Sequence, residues 1–200
     1  MHPLPNIFQA NLQRLYDRVI RPAMDGLPVH EALETGEAAS MDQFLERAAA
    51  QVDNYMANEA AKAYTLIVSG LFERQLSVWA RHLLGTLPET RSYVDLAGRC
   101  ADHLGYDFAA NNVRKNLDEA RLVANVVRHG DGGASKRLRK IAPELWAERG
   151  PDYLDLLSVP SPDSETIRIR REDLNRYLQA SFAYWGHVNP VPHAVTQMMF

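Results

Sequence analysis

Residues 41–84 read MDQFLERAAAQVDNYMANEAAKAYTLIVSGLFERQLSVWARHLL, forty-four positions without a proline. Leu45, Ala48, Val52, Tyr55 and Met56 begin an apolar stripe. Ile67, Leu71, Phe72, Leu76, Trp79 and Leu83 continue it in steps of mostly three or four, the period of one helix face. Ser40 is a suitable N-cap, Gly85 and Pro88 close the segment, and Gly70 marks a kink or a close helix crossing. A helix of this length makes the chain predominantly α-helical.

The same reading extends outward. Toward the N-terminus, residues 7–24 carry Ile7, Leu12, Leu15, Val19 and Ile20 near one face behind a possible Asn6 cap, and residues 28–40 read as a loop. Toward the C-terminus, helices are expected at about 89–104, closed by Gly105, and at 112–129, closed by Gly130. Short helical pieces follow at 135–140 and 143–149. Residues 150–165, with Gly150, Pro151, Pro160 and Pro162, form an exposed connector. Residues 166–170 alternate like a short strand, a last helix runs over about 172–187, and the tail from Asn189 is expected to wander. The fold class is all-α: a helical bundle over 1–149, a connector over 150–165, and a C-terminal helical extension over 166–200 that packs on the bundle.

The chain has 200 residues, 46% hydrophobic and 24% charged, with a net charge of −3, values that suit one globular domain. The N-terminus has neither a basic start nor an apolar run, which speaks against a secretory signal. The apolar stretch at 64–79 is broken by Glu73, Arg74 and Gln75 and is too polar to span a membrane. A cytoplasmic protein is expected. Cys100 is the single cysteine; it reads as a buried small residue, and no intrachain disulfide can form. His82, His103, His187 and His193 are scattered, with no metal-ligand spacing. No phosphate loop or hydrolase elbow is present, and no cofactor is implied. Trp79, Tyr64 and Phe72 read as core rather than as a base-stacking platform.

The chemically dense segment is the end of the helix at 112–129. At about 100° per residue, Arg121, Asn125, Arg128 and His129 share one sector, while Val123, Val126 and Val127 point away from it. Histidine can exchange a proton near neutrality, and arginine can grip phosphate bidentately. Asparagine can orient the imidazole or a ribose hydroxyl. Between Arg114 and Lys140 there are eight basic residues against three acidic ones, a local excess of +5. Lys136, Arg137, Arg139 and Lys140 extend the candidate surface toward nucleic-acid phosphate. The competing reading is structural: a cationic last turn followed by glycine is an ordinary helix C-terminus.

Glu119 to Asp131, EARLVANVVRHGD, resembles the signature helix of HEPN domains, with Asn125 and His129 at the family's Asn and His positions. Ala124 stands where the family carries arginine, and Arg121 and Arg128 flank it. Residues 72–76, FERQL, are similar to a charged pair on an earlier core helix of that family, where one polar side chain faces the signature helix; a solvated stripe is the alternative. The resemblance covers roughly 41–140. It implies a helical, dimeric protein with paired signature helices, acting as a metal-independent endoribonuclease in toxin–antitoxin or antiviral defence. His129 would serve as base or acid, Asn125 would position it, and Arg121 and Arg128 would hold phosphate. The alternative it leaves open is a non-catalytic module that binds RNA, a nucleotide or a protein partner such as an antitoxin.

Overall fold

The computed structural model describes residues 3–31, 33, 38–109, 112–147, 161–191 and 194–200. It is all-helical, with no strand among these residues. The chain opens with α1 (Leu4–Leu15), runs through a π-helical turn (Tyr16–Ile20) and continues as α2 (Arg21–Asp25). Then follow α3 (Met41–Leu84), α4 (Tyr93–His103), α5 (Val113–His129) and α6 (Gly133–Ile141). A 3₁₀ turn (Pro143–Trp146), the one-turn α7 (Asp163–Thr166) and α8 (Arg171–His187) complete it.

Helix α3 begins and ends where its cap residues place it. The Ser40 hydroxyl accepts from the Gln43 amide at 3.2 Å, and Gly85 takes the left-handed conformation, φ 75°. Gly70 neither breaks the helix nor admits a crossing partner: a Cβ there would meet just the far end of the Arg74 side chain. The apolar stripe of α3 divides into two faces. Phe72, Leu76 and Trp79 are buried, as expected for core residues, whereas Leu45, Val52, Met56 and Ile67 are exposed. Over forty-four residues, steps of three and four accumulate angular drift, so one continuous pattern can wrap from an inner to an outer face.

Two apolar clusters meet on α8. One gathers Leu122, Val123 and Val126 of α5 with Leu174, Tyr177 and Leu178 of α8. The other is aromatic. Phe72 sits 5.3 Å from both Tyr184 and Trp185 and 5.5 Å from Tyr93, and Phe8 stacks edgewise on Trp185 at 4.7 Å. Such ring pairs contribute beyond their buried area. The C-terminal helix is therefore part of the core, with Tyr177, Tyr184 and Trp185 fully buried.

Residues 167–170 do not form the expected strand. The alternation is real: Ile167 and Ile169 are buried and Arg168 lies between them, partly exposed. On one side the Arg168 amide donates to the Leu145 carbonyl at 2.7 Å, and on the other the partner is a side chain. Asn58 donates to the Ile167 carbonyl at 3.1 Å and accepts from the Ile169 amide at 2.8 Å, as a neighbouring strand would. The tail is likewise anchored rather than wandering. Gln9 donates to the Val195 carbonyl at 2.6 Å, and Gln179 binds both Thr196 and Met198. The path runs so close to α8 that a Cβ on Gly186 would lie 2.3 Å from the Val195 carbonyl oxygen. The glutamines supply this anchoring, and they carry no periodic signal.

Helix α5 is fixed to α8 by a buried carboxylate. Glu119 is fully buried and accepts from Arg176 twice, at 2.7 and 2.8 Å, and from the Tyr177 hydroxyl at 2.7 Å. Burial works against the charge on Arg176, yet its hydrogen bonds to Glu119 and Asp173 hold its pKa above the usual arginine value. Burial, then the neighbouring Glu119 charge, pushes the Tyr177 hydroxyl well above its ordinary range. Glu119→Ala strands both donors and is expected to cost about 3–5 kcal/mol in urea unfolding. A loss below about 1 kcal/mol, the size of an exposed ion pair, would show that the carboxylate does not anchor α5.

Candidate nucleic-acid interface

Apart from its ends, α5 is enclosed by the rest of the bundle and shows solvent one narrow strip. Arg114, Asp118, Arg121, Asn125 and Arg128 follow one another at intervals of four, three, four and three, and His129 closes the row. Arg128 and His129 are exposed, and Asn125 and Arg121 are half-buried. The helix ends at Gly130, φ 69°, whose amide donates to the Val126 carbonyl at 2.8 Å. The expected sector is thus real and faces outward. Helix α8 lies on another side, against Glu119.

Asp118 organises the upper half of the strip. One of its oxygens accepts from Nε and Nη2 of Arg121 at 3.1 and 2.7 Å. The other accepts from Arg137 of α6 at 2.5 Å. This ties α6 to α5 and brings together two residues assigned to separate parts of the surface, Arg121 and Arg137. Around them lies a depression of about 250 Å³, lined also by Arg91, Arg114, Ser92 and Asp95. Four guanidiniums and two carboxylates face it, an excess of two positive charges. The first turn of α4 forms part of its wall, and the positive end of that helix adds in the same sense.

The remaining residues divide. Arg139 is not part of this surface. Its guanidinium lies 4.2 Å over the Trp146 ring and pairs with Asp163, whose carboxyl it holds below the usual range. Spacing along α6 turns Arg139 away from Arg137 by more than half a turn. Lys136 and Lys140 are exposed on the α6 face between those two arginines. Ala124, where the resemblance leads to an expected arginine, is 5% exposed and packed in the interior. An arginine there would point into close-packed side chains.

Two lining arginines were outside the candidate set. Arg114 stands seven residues before Arg121 and so shares its helical sector; the same angular reading finds it. Arg91 precedes the Ser92 cap of α4 and has no sequence signal. Tertiary packing alone carries it here.

Other candidates resolve simply. Glu73 and Arg74 are both exposed, the solvated stripe of the two readings. Cys100 is buried and its thiol is pushed up to about 11 by burial, which suits a packing residue. His187 stacks on Tyr106 at 4.5 Å, and burial lowers its pKa. Among the described residues no three His, Cys, Asp or Glu side chains converge to hold a metal, and no helix is long and apolar enough to cross a membrane. Set against family models, curated proteins and solved structures, the chain matches none.

Asp118 masks part of the positive charge it organises. On a surface that takes nucleic-acid phosphate, Asp118→Asn should therefore tighten binding of single-stranded RNA about three- to tenfold at low salt. It should also steepen the fall of log K with log[salt] by up to about 0.7. Fluorescence anisotropy measures both. Weaker binding would show that Asp118 acts by aiming Arg121 and Arg137 rather than by screening them.

Proposed function

We infer that this protein binds RNA through the α5–α6 surface, as an HEPN-like module acting in the cytoplasm. The observation that supports this is the ring of Arg91, Arg114, Arg121 and Arg137 around one depression, in a chain whose net charge is −3. Guanidiniums present paired N–H donors that match phosphate oxygens. Placement of charge, rather than its total, decides such binding. The exposed Arg128 continues the row toward His129, so a strand seated on the ring lies along α5 and reaches the imidazole.

A second reading, metal-independent cleavage, is favoured by the position of His129 and Asn125 on that same strip. There His129 would take the proton of a ribose 2′-hydroxyl. The 2′-oxygen would then form a bond to the adjacent phosphorus, and the bond to the 5′-oxygen would break. The leaving oxygen would take up a proton, giving a 2′,3′-cyclic phosphate and a 5′-hydroxyl end. Asn125 would hold the imidazole or the ribose, and Arg128 would offset charge on the phosphate. A part in toxin–antitoxin or antiviral defence, with an antitoxin as partner, follows from the family resemblance.

Binding is tested by anisotropy on unrelated single-stranded RNAs across roughly 50–200 mM salt. Arg121→Ala and Arg137→Ala should each weaken binding evenly across sequences and reduce the salt slope by about 0.7. Unchanged affinity in both variants would remove the surface from the function. Cleavage is tested in EDTA with wild type and His129→Ala purified identically. Cyclic-phosphate ends lost in the variant support the second reading; binding without cleavage leaves the first reading alone.

A further inference from the structure

Among the described residues, no element covers the outer face of α3. Leu45, Met56, Ile67 and Val78 recur every eleven residues and are each 46–56% exposed. Eleven residues make about three turns, so these side chains stand nearly above one another along roughly 50 Å of helix. Exposed Ala49, Val52 and Ala63 and half-buried Ala60 fill the row between them. The opposite face of the same helix carries Phe72, Leu76 and Trp79 into the core. A helix that is apolar on both faces is one that packs on both faces, and an uncovered stripe this long marks an interaction surface.

The charges beside the stripe indicate what covers it. Its N-terminal half is bordered by Glu46 and Asp53, and its C-terminal half carries Arg74 and Arg81. We propose that the stripe pairs antiparallel with the same stripe of a second copy of this chain, about a two-fold axis beside Ala63. A two-fold interface sets one patch against itself reversed, so the acidic half meets the basic half. Glu46 with Arg81 and Asp53 with Arg74 share a midpoint between Ala63 and Tyr64, so a single register satisfies both pairs on both sides. In that register Ala49 faces Val78 and Ala60 faces Ile67, small against large, which lets the helices interdigitate. Parallel pairing would stack Arg74 on Arg74 and Glu46 on Glu46. Asp53 already accepts from His30 at 3.0 Å and remains half exposed, so its second oxygen can meet an arginine. The stripe shares no residue with the arginine ring, so the proposal stands apart from the proposed function. The pairing also differs from one made through the signature helices.

The test is sedimentation velocity on the full chain at micromolar concentration, with helix content and thermal midpoint recorded for every variant. Wild type is expected to be a dimer. Ile67→Glu, at an exposed position, should keep the fold and weaken association at least about tenfold, since it sets a charge in an apolar seam. Arg81→Glu should weaken it too, and Glu46→Arg with Arg81→Glu should restore it. Under mild oxidation Ala63→Cys should form a disulfide with its own copy, and Leu45→Cys should not. A monomeric wild type, a dimer indifferent to Ile67→Glu, or equal self-crosslinking at 45 and 63 would each overturn the proposal.

Discussion

The buried Glu119 carboxylate is the interaction on which the rest of the arrangement depends. A charge removed from water must be met by donors on every side, and here Arg176 and the Tyr177 hydroxyl meet it. That contact fixes the rotation of α5 about its own axis. With Glu119 turned toward α8, the helical period turns Arg114, Asp118, Arg121 and Arg128 outward. Asp118 then fixes α6 through Arg137. A chain of two carboxylates, one inside the protein and one at its surface, thus sets where the positive groups stand.

Those positive groups define what the surface can do. Arginines drawn from α5, α6 and the segment before α4 converge on one depression, although the molecule as a whole is acidic. Asp118 orders two of them at the cost of partly neutralising them, and a phosphate entering the depression would share their donors with it. His129 and Asn125 extend the same strip. Ala124 is interior, so the guanidiniums on this strip are those of Arg114, Arg121 and Arg128, with Arg137 reaching it from α6.

Most of the helices were legible in the sequence, because apolar period and cap residues act locally: Ser40 and Gly85 bound α3, and Gly130 ends α5. The polar sector of α5 was legible for the same reason, since helical angle needs no knowledge of partners. The missed features are those decided by tertiary contact. Asn58 imitates a strand neighbour for residues 167–169, and glutamines hold the tail. Arg139 follows Trp146 and Asp163 away from the surface, while Arg91 arrives at it from a distant segment. Periodicity likewise showed that α3 was apolar but not that its stripe divided between an inner and an outer face.

The central claim is that the outward strip of α5, with Arg137 of α6, is where RNA lies. Hydrogen exchange read by mass spectrometry, with and without a saturating single-stranded RNA, addresses it most directly because it asks where the ligand is rather than whether it binds. The account predicts added protection concentrated in residues 112–140, with a smaller effect at the start of α4. Protection confined to other segments, or none at concentrations where anisotropy reports saturation, would contradict it.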